Sequence, residues 1–262
     1  MAANSLAPPS FFASKRNKLF VWLSGFFICN ALLAEIIGTK IFSLEQWLGI
    51  EPAKLFFFGF GPLSFNLTCG ALIWPFVFIS TDIINEYFGR QGVRRVTMFG
   101  TALISYMFLI ILLVTQVPPA QFWLDINNTD PAGQPFNIEF AYRAIFRQGM
   151  GIIFGSVVAF LLGQFLDAYV FHLIKARTGD KYLWLRATGS TIISQLLDSF
   201  VVLFIAFYFF GNWSFNQVLA VGIINYIYKF SMAVLLSPLL YLSHNIIDRY
   251  LEEGEVVEQS VS

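Results

Sequence analysis

Long apolar runs separated by short polar breaks dominate the chain, and they predict six helices that cross a membrane. A crossing helix needs about 20 apolar residues. Runs of that kind fall at 18–43, 66–86, 96–117, 144–174, 184–210 and 215–244. Phe56 to Pro62, rich in Gly, Pro and aromatics, reads as an interfacial or re-entrant stretch before the second run. Pro118-Pro119 closes the third run. The fourth, 31 residues by its bounds, is long enough to tilt or to project beyond the bilayer. The polar loop from Val117 to Asn137 reads as an outside loop or lid. The predicted fold is all-α and polytopic. A six-helix transmembrane domain spans 18–246, between an N-terminal tail at 1–17 and a C-terminal tail at 247–262, whose last dozen residues, Leu251 to Ser262, are acidic and polar and read as unstructured.

Basic residues set the orientation. Lys15, Arg16 and Lys18 precede the first run, Arg90, Arg94 and Arg95 lie between the second and third, and Lys175, Arg177, Lys181 and Arg186 between the fourth and fifth. The opposite loops hold only Lys54. The positive-inside rule then puts the N- and C-termini in the cytoplasm, and six is the even number this requires. Trp22, Trp123, Trp184 and Trp213 stand near predicted helix ends, as interfacial aromatics do.

Composition agrees. Of 262 residues 57% are hydrophobic and 12% charged, against about 25% charged in soluble domains. Mean hydropathy is +0.67. A net charge of +0 implies no nucleic-acid-binding surface. Cys29 and Cys69 both lie in apolar runs and read as buried small residues, not as a disulfide or metal site. The first run exceeds the 7–15 residues of a signal-peptide core and reads as a retained helix.

The polar exceptions inside these runs carry the chemistry. Gln164-Phe165-Leu166-Asp167 and Gln195-Leu196-Leu197-Asp198 repeat one pattern in two neighbouring helices. An aspartate at a helix centre costs about 2.5–3.5 kcal/mol to insert and usually faces a cavity. Each Gln and Asp are three residues apart, so each pair shares a helix face. Interhelical hydrogen bonding, worth about 0.6 kcal/mol per contact, is the alternative reading. Asp82, Asn85 and Glu86 share a face at the end of the second run, which reads either as a polar site or as a helix leaving the membrane. Asn225 and Lys229 share a face in the sixth, with Tyr226 beside Lys229. Lys229 is then a countercharge for Asp82, Asp167 or Asp198, a substrate contact, or one half of a structural ion pair. Glu35 is mid-run and pairs inside the bundle, whereas Lys40 can snorkel. Arg143 and Arg147 read as interfacial anchors.

Carboxylates accept paired hydrogen bonds from adjacent N–H groups. Amides serve the remaining polar atoms, and aromatic rings stack on flat faces. The inventory suits a small, flat heterocycle rich in hydrogen-bonding groups. An acidic membrane cavity also suits protons or cations.

The chain resembles the queuosine precursor transporter family, also called the vitamin uptake transporter (VUT) family. The resemblance rests on Thr81-Asp82-Ile83-Ile84-Asn85-Glu86-Tyr87-Phe88-Gly89, Gly163 to Phe171, Ala187 to Thr191 with Gln195 to Asp198, and Asn225 to Lys229, in that order. It implies a multi-pass protein of the bacterial inner membrane that imports 7-deazaguanine bases (preQ0, preQ1 or a queuine-like base) for tRNA queuosine. By motif position it carries over Asp82, Asn85, Glu86, Gln164, Asp167, Gln195, Asp198 and Lys229. Gln164, Asp167, Gln195 and Asp198 are expected to bind substrate. Asp82, Asn85, Glu86 and Lys229 are expected to gate or couple ions. Gly149-Met150-Gly151 departs from the family, many members of which carry a basic residue there.

No cofactor, no metal and no catalytic residue is expected. A membrane aspartyl protease is disfavoured, because no Gly-x-Gly-Asp occurs. The expected partners are a deazaguanine substrate and the lipid bilayer, not nucleic acid, with homo-oligomerisation left open. The alternative reading is a substrate-binding membrane subunit of a multi-component, ATPase-driven uptake system. The chain has no Gly-x-x-x-x-Gly-Lys-Ser/Thr of its own.

Overall fold

The computed structural model describes residues 14–147, 150–179 and 181–261. The first thirteen residues of the predicted N-terminal tail, and Gly149, lie outside them. The chain is a multi-pass membrane protein. Among the described residues five helices are long and apolar enough to cross a bilayer: Lys15–Ile37, Trp74–Val114, Phe154–Thr178, Leu183–Phe209 and Phe215–Leu235.

These spans belong to α1 (Lys15–Ile37), α3 (Trp74–Val114), α6 (Met150–Thr178), α7 (Leu183–Leu203) and α8 (Phe215–Leu235). A π-helical turn at Phe204–Phe209 continues α7. Small elements fill the connections. β1 (Ile41–Ser43) pairs antiparallel with β4 (Asn66–Thr68), bracketing α2 (Leu44–Leu48) and a hairpin of β2 (Leu55–Phe57) and β3 (Phe60–Leu63). The Gly/Pro-rich aromatic stretch is therefore a β-hairpin, which with the β1–β4 pair departs from an all-helical fold. The loop from Val117 to Asn137 contains α4 (Gln121–Ile126), and α5 (Ile138–Phe146) follows it. Asn137 caps α5 by accepting from the Phe140 amide at 2.9 Å, so the fourth predicted run begins with a separate short helix.

The second and third predicted runs form one helical stretch, α3, interrupted at Gly89 (φ 64°, ψ −171°). Only glycine holds that backbone conformation without strain. The chain folds back there: a Cβ built on Gly92 would stand 3.3 Å from Ile84 Cγ2, eight residues away and about 12 Å along a straight helix. Val77 from the first arm joins Ile104 and Phe108 from the second in one buried cluster with Phe27 of α1 and Phe160 of α6.

The sixth predicted run divides at Leu236 into α8 and α9 (Ser237–Val261). α9 thus continues through 251–261, the part expected to be unstructured. Its earlier turns explain this: α9 buries Leu240 and Ile247 against Ile83, Phe171 and Leu183. His244 Nδ1 and Asp248 Oδ1 each lie 2.6 Å from Tyr87 Oη. Both cysteines are unpaired, but neither is buried; Cys29 sits on the exposed face of α1. An apolar run marks membrane depth, not inward orientation.

Candidate functional site

The first arm of α3 presents Trp74, Phe78 and Asp82 at intervals of four, hence on one face. Trp74 and Phe78 stack with ring centroids 5.8 Å apart and planes 24° apart. With Thr188, Thr191 and Gln195 of α7 and Tyr228 and Lys229 of α8 they wall a cavity of about 40 Å³. Asp82 Oδ1 and the Gln195 amide, both its Oε1 and Nε2, are buried without a hydrogen-bond partner in the protein. Such atoms cost about 1–3 kcal/mol each when left unmatched. Both residues belong to the lining of this cavity.

A second, larger cavity of about 500 Å³ adjoins the first. Glu35, Arg147, Ser156, Asp198 and Asn225 line it. The two cavities share Ala71, Trp74, Tyr228 and Lys229. These four residues form a wall common to both. Tyr228 fastens that wall by donating to the Ala71 carbonyl at 3.3 Å. Lys229 forms an ion pair with Asp198, which names its countercharge among the three aspartates open from sequence. Gly163 of α6 lies beside Asp198, where an added Cβ would stand 3.7 Å from Asp198 Cβ, an ordinary van der Waals contact. Ser156 donates to Glu35 Oε1 at 2.5 Å on the far side of the larger cavity.

The two Gln/Asp pairs have different surroundings. Gln164 and Asp167 are each 1% exposed and line neither cavity. Gln164 Oε1 accepts from the Thr81 hydroxyl at 2.9 Å. Asp167 Oδ1 accepts from Ser194 at 3.2 Å and Thr191 at 3.4 Å. These bonds form a polar seam joining α3, α6 and α7 behind the smaller cavity, and Asp82 lies within electrostatic range of Asp167. Gln195 faces the smaller cavity and Asp198 the larger.

The remaining expected residues lie elsewhere. Asn85 is buried, with neither side-chain polar atom hydrogen-bonded in the protein. Glu86 pairs with Lys175 at 3.0 Å and Arg186 at 2.7 Å. Arg186 is 1% exposed, donates to the Gly179 carbonyl at 2.9 Å and lies over the Phe171 ring. Sequence reading placed Arg186 among loop charges, because a basic residue beside a helix start usually is one. It also passed over Trp74, Phe78 and Tyr228, although the four-residue spacing from Trp74 to Asp82 carried the signal.

Aromatic faces, an acceptor and an amide around a part-open cleft are the equipment for holding a small planar molecule. The family model described as "Putative vitamin uptake transporter" matches residues 68–243, a range that contains the whole wall of the smaller cavity. The chain belongs to that family. A relative in Bacillus subtilis named "Probable queuosine precursor transporter" is 30% identical over 230 residues, 87% of this chain and 84% of the relative. One of the same name in Haemophilus influenzae is 25% identical over 94% of this chain and 95% of its own. The "Queuosine precursor transporter" of Escherichia coli is 25% identical over 74% of this chain and 80% of its own. No solved structure gives a significant match.

Membership in this family gives the two cavities a common setting. They adjoin at Ala71, Trp74, Tyr228 and Lys229.

Proposed function

We propose that this chain imports 7-deazaguanine precursors of queuosine across the bacterial inner membrane. The unpartnered Asp82 and Gln195 atoms in an aromatic-walled cavity are the observation that carries this reading. Asp82 accepts the two adjacent N–H donors of the guanine-like edge. Gln195 serves the remaining ring atoms with its acceptor and its donor. Trp74 and Phe78 supply the stacking faces, worth about 1–3 kcal/mol per base elsewhere. The names of the relatives in three bacteria support the substrate class and the membrane.

Gln164 and Asp167 hold the helix carrying Asp82, and Asp198 sets the position of Lys229. Asn85 and the Glu86–Arg186–Lys175 group close the cytoplasmic end as an inner gate. The chain crosses six times with both termini cytoplasmic, α3 contributing two crossings that meet at Gly89. The basic cluster Arg90, Arg94 and Arg95 directly after that reversal supports this orientation. The larger cavity then opens outward and the smaller inward.

The test is the queuosine content of tRNA in a bacterium that lacks its own precursor synthesis and importer. Cells receive preQ0, preQ1 or queuine at nanomolar levels, with and without this chain. Restoration by at least one base is expected. No restoration by any, with the protein present in the membrane, overturns the reading. Uptake into liposomes holding the pure protein alone would exclude a required ATPase partner.

A further inference from the structure

We infer that the smaller cavity selects by charge at its Lys229 end, favouring a neutral base with a hydrogen-bond acceptor at position 7 over one bearing an ammonium there. The inference rests on the deazaguanine reading and specifies which member of that class the site prefers.

The cavity is polarised along its length. Trp74 belongs to the wall shared with the larger cavity, and so does Lys229. Asp82 does not; it lies eight residues further along α3, about 12 Å at 1.5 Å per residue. The ammonium thus stands on the shared wall, and the carboxylate lines the same space away from that wall. A planar bicyclic base with its N–H edge on Asp82 directs the substituent on its five-membered ring toward Lys229. A nitrile there accepts a hydrogen bond from the ammonium, which offers three donors and no acceptor. An aminomethyl group is itself a cation and meets a like charge.

The partner of Lys229 does not cancel this. Asp198 lines only the larger cavity, whereas Lys229 lines both. From the smaller cavity the ammonium stands in front of the carboxylate. Removing Lys229 alone uncovers Asp198 and reverses the sign of that end. Removing both leaves it neutral.

The experiment is competition for labelled preQ0 on the purified full-length protein in lipid nanodiscs, with unlabelled preQ0 (7-cyano) and preQ1 (7-aminomethyl) as competitors. The wild type should prefer preQ0 by about tenfold, the scale of one partly screened charge contact. Lys229→Met should shift the ratio at least tenfold toward preQ1. Asp198→Asn/Lys229→Met should bring it near one, and Lys229→Arg should keep the wild-type preference. The double variant leaves no unpaired charge, so it reports the ratio even if Lys229→Met fails to accumulate. A wild type that binds both bases equally, or a ratio that none of these variants moves, overturns the inference and leaves the transport reading standing. A wild type that binds neither base refutes the deazaguanine reading itself.

Discussion

Arg186 of α7 and Glu86 of α3 meet at 2.7 Å, with the guanidinium almost completely enclosed. Together with Lys175 of α6 they tie three helices at one end of the bundle. Removing one member of a buried pair strands the other, at about 3–5 kcal/mol in soluble proteins. Arg186→Met or Glu86→Gln is expected to lower the melting temperature of the protein in detergent sharply. The double variant should recover part of that loss, because neither charge is then left alone.

Asp82→Asn replaces one of two acceptor oxygens with a donor and removes the charge. A hydrogen bond to a charged group is worth about 1.5–3 kcal/mol, so affinity for the base should fall by about tenfold or more. Membrane accumulation should be unchanged, since Asp82 Oδ1 has no partner in the protein to lose. Gln195→Leu should act in the same direction. Equilibrium binding of labelled base checks both, and wild-type affinity in Asp82→Asn would remove Asp82 from the site.

Gly89→Ala forces a side chain into a conformation reserved for glycine. The expected cost is about 1–3 kcal/mol, seen as less folded protein in fluorescence-detected size exclusion. Gly25→Ala is the control. It lies within α1 with no neighbouring atom within 4 Å of its Cβ, and should be neutral or slightly stabilising.

Glu45 lies in the small β-containing layer, outside the crossing helices. Loss of water around its carboxyl favours the neutral form, but amide donors from Phe65 at 2.7 Å and Ala53 at 3.3 Å and the Ser43 hydroxyl outweigh it. The carboxyl is held below its usual range. A depressed pKa stabilises the fold above the unfolded value of about 4.3, and that contribution disappears as pH falls through the folded value. The melting-temperature gap between wild type and Glu45→Gln should hold from pH 7 to about 5 and close below about pH 4.

The membrane class and the identities of most polar groups were legible in the sequence, because a buried charge in an apolar run stands out by composition alone. The layout was not. Repetition made Gln164–Asp167 and Gln195–Asp198 look equivalent, yet the first pair faces a helix seam and the second faces the two cavities. Which way a helix face points depends on its neighbours, and periodicity within one helix carries no information on them. The reversal at Gly89 was anticipated as a break between two runs, but the single φ/ψ that makes it was not. The β-hairpin was hidden because Gly, Pro and Phe suit an interfacial loop equally well.

The thin wall at Trp74, Tyr228 and Lys229 also has an electrical side. On the proposed orientation, aqueous spaces approach from both faces, and the membrane voltage would fall across the wall between them and not over the full hydrocarbon thickness of about 30 Å. Each elementary charge that passes the whole drop exchanges about 2.3 kcal/mol per 100 mV with the field. A neutral base crosses without sensing the potential, so its accumulation depends on consumption inside the cell and on any ion that moves with it. A cationic base would be drawn inward by the resting potential even without such an ion.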